Sequence, residues 1–327
     1  MYILSLNIKL NNYLQHRCTI LAFFFILSLG ITSCVDRISI PDNEDSKLVL
    51  NCEITRGHGE ITATLSTSNN LNATSPITVP DNAEIKLTKN IDEAYFLTYD
   101  PVRNLYFNNN FIWTSEVGQL RLTANVPNSD FPEVTATAVP LQAVWIADNK
   151  ISATPAEIVE IDGQSYFERV LTIETSEPVV KPAYMELHVT ELLTTFELDE
   201  NGEKVYISTG SKNNVEIVKV INGSAGMLQM EHRDGMLIDH SRLENNTFTI
   251  KVRSAYPITM DNQVFDKLNV MLYTVDKNYY NFNRAWSNTV SANNGQYTDP
   301  PIWNNNIKEG FGHFSVRTPF PHNFTFK

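Results

Sequence analysis

The chain has 327 residues, of which 42% are hydrophobic and 19% are charged. This balance is typical of a globular protein and excludes a disordered chain, which combines low hydrophobicity with high net charge. The 37 acidic and 25 basic side chains give a net charge of −12, which argues against a nucleic-acid-binding protein because phosphate neutralisation needs a basic surface. The length alone predicts about two domains.

The first 33 residues have the order of a targeting segment rather than of a folded domain. Basic residues without any acid precede an apolar run over 20–29, and the small residues Thr32 and Ser33 then lead directly to Cys34. This order resembles a bacterial lipoprotein signal, in which the cysteine thiol becomes the site of lipid attachment. We therefore expect a signal peptide over 1–33, acylation of Cys34 with fatty acids such as palmitate, and an anchor in the outer membrane with display at the cell surface.

Two other interpretations of this segment stay open. The run over 18–33 has 16 residues, fewer than the about 20 that an apolar helix needs to span a membrane, so a transmembrane anchor is disfavoured. The other alternative is an ordinary cleaved signal peptide that a cysteine follows by chance. Removal of 1–33 leaves 294 residues and, because two basic side chains are lost, a net charge of −14.

A short acidic tether over 34–46 follows the signal, and apolar and polar residues then alternate with a period of two. In the first predicted strand Cys52 shares a face with Leu50 and Ile54, which predicts a buried thiol rather than a nucleophile. About seven short strands of this kind over 47–140 predict an immunoglobulin-like β-sandwich.

Longer strands predict a second, larger β-rich domain over 141–327. Asn201-Gly202 is typical of a tight hairpin turn, and aromatic residues at helical spacing predict one helix near 277–290. Gly310 and Gly312 permit backbone conformations that other residues cannot adopt, or a close backbone approach, and predict a fixed loop followed by a last strand over 312–316. The expected fold class is therefore all-β, or mainly β, with one C-terminal helix. The other strands predicted in this half cover 167–175, 184–192, 204–208, 215–221, 247–252 and 268–275.

No motif for catalysis, metal ligation or cofactor binding stands out in the sequence. The loop over 197–202 matches the early positions of an EF-hand, but Ser208 occupies the twelfth position, where a bidentate Glu is required. Ser224 lacks the glycine two residues earlier that a nucleophile elbow needs. We therefore expect no catalytic residue, no bound metal and no cofactor.

The remaining candidates for ligand binding are aromatic. Tyr280, Trp286 and Trp303 belong to an aromatic cluster within 25 residues. An exposed aromatic platform would suit a sugar ring or an apolar partner. The alternative, which we favour, is that the helix packs its aromatic face on the sheet while Trp303 pins the tail. The ligand stays unknown at this point.

Four segments together resemble the bacterial lipoprotein family known as domain of unknown function 4249. They are the first strand after the tether at 45–50, the Ala- and Thr-rich strand at 133–140, the Tyr-rich helix at 277–287 and the tail at 300–314. The resemblance implies a surface lipoprotein that associates with a TonB-dependent outer-membrane receptor. It supplies no catalytic residues.

Three functions are consistent with these observations. The first is a non-enzymatic, lipid-anchored outer-membrane module that helps a TonB-dependent transporter capture a nutrient or a peptide. Its partners would be the membrane, through the lipid, and the receptor, but not nucleic acid. The second is a structural or adhesive lipoprotein of fimbrial type, and the third is a hydrolase with its site in 141–327.

Overall fold

The computed structural model describes residues 46–325 except for 58, 69–77, 91–92, 114–117, 147–149, 179, 182, 231–234, 266 and 293–304. The predicted mainly-β class is confirmed, with one α-helix among the described residues. The immunoglobulin-like arrangement of 47–140 stays a prediction. The signal peptide over 1–33, Cys34 and Trp303 lie outside the described residues.

The described residues of the N-terminal half form seven strands, and in the first three of them buried apolar residues alternate with more exposed, mostly polar ones, as half-buried strands require. The strands are β1 (Leu48–Thr55), β2 (Ile61–Thr67), β3 (Glu84–Lys89), β4 (Glu93–Asp100), β5 (Leu105–Asn108), β6 (Leu120–Asn125) and β7 (Val134–Ala138).

In the described part of the C-terminal half, twelve further strands and the helix follow, together with 3-10 turns at Ser224–Gly226, His240–Arg242 and Glu244–Asn246. The elements are β8 (Ile151–Ala153), β9 (Glu157–Ile161), β10 (Gln164–Glu174), β11 (Tyr184–Leu198), β12 (Lys204–Asn214), β13 (Glu216–Asn222), β14 (Met227–Met230), β15 (Gly235–Asp239), β16 (Thr247–Arg253), β17 (Gln263–Val264), β18 (Lys267–Val275), α1 (Lys277–Ala292) and β19 (Phe311–Thr325). The predicted strands of this half and the helix near 277–290 are confirmed.

The last strand joins the two halves of the chain in one sheet. β19 pairs in parallel with β1 and antiparallel with β18, within the order β14-β15-β11-β18-β19-β1-β2-β5-β4-β3-β6-β7. A second sheet has the order β13-β16-β10-β8, with β9 on β10. The predicted boundary between two domains at 140 stays a prediction, but strands from both sides of it belong to the first sheet.

β19 is longer than the sequence predicted, and its first residues show why glycine is needed there. Gly312 has φ +119° and faces Leu50, whose carbonyl oxygen would lie 2.0 Å from an added Cβ. The predicted close backbone approach is therefore confirmed at this position. Pro319 and Pro321 lie beyond Arg317, where the pairing with β1 has ended, and prolines are tolerated at such edges.

Two large hydrophobic cores fill the described part of the chain. One lies among β1 to β7 and also includes Ile307, Phe314 and Val316 from the C-terminal end. The other packs the inner faces of β10, β11, β16 and β18. Cys52 is 3% exposed, and burial followed by the nearby Glu53 raises the pKa of its thiol. The prediction of a core thiol is therefore confirmed.

Candidate functional site

The four central strands β11, β18, β19 and β1 have two very different faces. The residues of one face are apolar and belong to the cores, as Met185, Leu187 and Val189 show for β11. The alternate residues are largely polar or aromatic, and helix α1 contacts β19 and β11 on this part of the sheet. Successive side chains of a strand point to opposite faces, so the polar set converges beside the helix. Its members are Asn51, Glu53, Thr55, Glu186, His188, Tyr273, His313, Ser315 and Arg317.

Glu186 is the most deeply buried charged group of this face, with a relative exposure of 0%. Its Oε2 accepts a hydrogen bond from Arg317 Nη1 at 3.1 Å. Its Oε1 lies 2.9 Å from His188 Nε2, although the two atoms lack the alignment of a hydrogen bond. Burial alone would raise the pKa of Glu186, but His188 and Arg317 outweigh burial and lower it to about 2.

Arg317 connects this carboxylate to the first strand of the chain. Its Nε donates to Thr55 Oγ1 at 2.6 Å and lies 3.3 Å from Glu53 Oε1, while the guanidinium stands 4.6 Å from the ring centroid of Tyr273. Burial would lower the pKa of Arg317, but Glu53 and Glu186 raise it. One guanidinium therefore contacts side chains from β1, β11 and β18, which fixes the three strands around β19.

Asp276 fixes the start of α1 on the same strands. Its Oδ1 accepts the backbone N–H of Tyr279 at 2.8 Å, as an N-cap residue does. Its Oδ2 accepts the backbone N–H of Val316 in β19 at 2.9 Å. Burial raises the pKa of Asp276 to about 6, although these backbone donors act in the opposite direction. A single carboxyl group thus holds the helix against β19.

An open groove of about 540 Å³ lies where α1 meets the beginning of β1 and β19. Trp286 is 39% exposed and Phe311 is 37% exposed, so both offer aromatic surface to solvent. Phe282 stacks on His313 with ring centroids 4.3 Å apart, which steadies the helical side of the groove. No acidic, basic, hydroxyl or thiol side chain is among its described lining residues, which are Val49, Asn51, Phe282, Trp286, Asn305, Phe311 and Gly312.

The structure separates the predicted aromatic candidates. Trp286 lines the groove. Tyr280 is 7% exposed and stacks on Tyr184 with ring centroids 4.4 Å apart, so its position is that of a packing residue. Trp303 lies outside the described residues. The helix therefore packs one aromatic set on the sheet and offers another to solvent, which combines the two alternatives drawn from the sequence.

The other motifs that the sequence offered have ordinary structural positions. Asp199 Oδ1 accepts the backbone N–H groups of Asn201 and Glu203, which makes the EF-hand-like loop a hairpin turn. Ser224 begins a 3-10 turn after Gly223, whose φ is +84°. Within the described ranges, no group of three or more His, Cys, Asp or Glu side chains could hold a metal ion.

Sequence reasoning missed Phe311, Asn51 and the ion pair between Glu186 and Arg317. One signal was present, because the polar residues of β1 fall on the face opposite Leu50 and Cys52. What they meet depends on strand pairing, which no local pattern gives.

Comparison with known proteins identifies the family of this chain. The family model Domain of unknown function (DUF4249) matches residues 36–319, which is most of the chain. The chain belongs to this family. No curated protein matches it. The DUF4249 match includes every described residue that lines the groove. It also includes Glu53, Glu186, Asp276 and Arg317, which we call the ionic cluster, although β19 continues beyond the matched range to Thr325. None of the described helices is long and apolar enough to serve as a membrane span.

Proposed function

We propose that this member of the DUF4249 family is a lipid-anchored outer-membrane lipoprotein, exposed at the cell surface, that binds a ligand without transforming it and serves a TonB-dependent transporter. The order of charge, apolar run and small residues before Cys34 supports the anchor. Acyl chains on one cysteine provide stable membrane attachment when two or more are present.

The groove beside α1 is the observation that carries the binding role. Its exposed indole at Trp286 and ring at Phe311 can stack on a sugar ring or an apolar side chain. The Asn51 amide has no side-chain hydrogen bond to any described residue, so it can donate to and accept from a ligand hydroxyl or peptide group. The absence of titratable side chains among the described lining residues favours binding over hydrolysis.

The ionic cluster below the helix supports the same role by making the groove rigid. Asp276 holds the first turn of α1 on β19, and Arg317 holds β19 to its neighbours. Trp286 lies on the third turn of that helix. A site on rigid elements loses less conformational entropy when a ligand binds, which favours affinity.

The proposal is tested by affinity purification of the tagged full chain from outer membranes of its native host. Recovery of a TonB-dependent receptor with the wild-type chain supports it. The Cys34→Ala variant should leave the membrane fraction, and retention there would refute the lipid anchor. Trp286→Ala keeps Cys34 and should stay in the membrane. A change in receptor recovery with this variant therefore measures the contribution of the groove. Repeated recovery of the wild-type chain without any receptor would reject the transport role.

A further inference from the structure

A second cavity, of about 330 Å³, shares no described lining residue with the groove. It lies between β10, β11 and the loop that connects β16 to β17. That loop is held in place on both sides, because Ile258 N–H bonds to the Ser165 carbonyl and Phe196 N–H bonds to the Asn262 carbonyl. The cavity wall is mostly apolar and includes Phe167, Leu192, Pro257, Ile258, Val264 and Phe265.

Glu191 is the one acidic side chain among the described residues of this wall, and it is 4% exposed. Its Oε1 accepts the backbone N–H of Ala255 at 3.2 Å. Among the described residues, no Lys, Arg or His forms an ion pair with it. Burial raises the pKa of Glu191 to about 7, although the Ala255 N–H acts in the opposite direction.

This arrangement differs from that of two other buried glutamates, Glu168 on β10 and Glu186 on the same strand as Glu191. Glu168 bonds to Lys251 at 2.6 Å and to Arg253 at 2.7 Å, and Glu186 has Arg317 and His188. An acceptor for the Ala255 N–H does not need to be an acid, because the neutral oxygen of a Gln would serve. A buried carboxyl group without a counter-charge destabilises the fold, and such groups cluster at functional sites.

We propose that this cavity binds an organic cation, with a primary ammonium group at Glu191 and an aromatic or branched aliphatic body against the apolar wall. The ammonium supplies the counter-charge that the described residues do not. Phe167 and Phe265, which are stacked with centroids 6.3 Å apart, offer the matching surface for the apolar part. A volume of about 330 Å³ is at the small end of ligand pockets, which suits an amine with a single ring.

The test is isothermal titration calorimetry of the purified full chain with phenethylamine and with 2-phenylethanol, a neutral molecule of the same shape. The wild-type chain should bind the amine at least about tenfold more tightly than the alcohol, because only the amine forms a charge-assisted hydrogen bond. The Glu191→Gln variant, which keeps an acceptor for Ala255, should lose that preference. Glu197→Gln is the matched control, since it removes the same charge from an exposed site on the same strand.

Three results would overturn the proposal: no binding of phenethylamine to the wild-type chain, equal affinity for amine and alcohol, or an unchanged preference in Glu191→Gln. The comparison of the two ligands on the wild-type chain does not depend on any variant, so a folding defect cannot hide the answer. The experiment needs no membrane or receptor, and its outcome is therefore separate from that of the transport proposal.

Discussion

Glu186 and Glu191 lie five residues apart on the same strand, yet their surroundings differ in almost every respect. Glu186 points to the face below α1, where Arg317 and His188 surround it. Glu191 points to the opposite face, where a single backbone N–H approaches it beside an apolar cavity. The pKa of the first is lowered to about 2 and that of the second is raised to about 7.

This difference shows that burial alone does not decide the charge of a carboxyl group. Both side chains are nearly inaccessible, at 0% and 4% exposure, and burial raises the pKa of both. At Glu186 the neighbouring His188 and Arg317 reverse the effect, whereas among the described residues only the backbone N–H of Ala255 opposes it at Glu191. The arrangement at Glu186 fixes strands in place, whereas the one at Glu191 leaves room for a ligand that supplies the missing counter-charge.

The largest effect is expected from removing the cation that Glu186 depends on. Arg317→Ala leaves the fully buried Glu186 carboxylate without its guanidinium partner, and breaking a buried pair in this way costs about 3–5 kcal/mol of unfolding free energy. Chemical denaturation at neutral pH measures the loss. Arg103→Ala is the control, because Arg103 also bonds to two carboxylates but is 41% exposed, so its ion pairs are screened by solvent and its removal should cost far less.

The pH dependence of that loss checks its cause. Glu186 has a folded pKa of about 2, below its ordinary value of 4.5, so its stabilising contribution is present above pH 4.5 and is lost as the pH falls through 2. The difference between wild type and Arg317→Ala should therefore shrink as the pH approaches 2. A difference that stays constant with pH would indicate lost packing rather than a lost charge pair.

The second prediction has the opposite pH dependence. Glu191 has a folded pKa of about 7, above its ordinary value of 4.5, so its contribution is present below pH 4.5 and is lost as the pH rises through 7. Glu191→Gln should therefore stabilise the chain by about 3 kcal/mol at pH 8 and by almost nothing at pH 4. Urea unfolding at the two pH values measures this, and a variant that is less stable at pH 8 would contradict the description of Glu191 as an unpaired acid.

The sequence predicts the surroundings of Glu191 better than those of Glu186, and the reasons are physical. Alternation predicted β1, the burial of Cys52 and the strand that holds both glutamates, because a period of two follows from strand geometry. The same alternation carried a sign of the cavity, since Glu191 falls on the face of Leu187 and Val189. An acid at an apolar position of such a pattern indicates an unusual environment.

The ionic cluster could not be predicted in the same way. Glu186 and Arg317 are 131 residues apart, and they meet only because β18 lies between their strands. Such long-range pairing depends on the whole sheet, which no local pattern of residues encodes. Of the groove, the sequence predicted Trp286 on the helix but not Phe311, which approaches through the parallel pairing of β19 with β1.

The smallest effect concerns the link between the ionic cluster and the groove. Asp276→Ala removes the acceptor of the Tyr279 and Val316 N–H groups, and the loss of an N-cap costs about 1–2 kcal/mol. If Asp276 holds α1 in position, backbone amides over 279–287 should exchange hydrogen faster in this variant, as mass spectrometry of peptides can measure. Asp199→Ala is a matched control, because Asp199 also accepts two backbone N–H groups, but in the hairpin between β11 and β12. Equal exchange of the helix in both variants would show that the groove does not depend on this carboxyl group, and that Arg317 and the aromatic packing are sufficient to fix it.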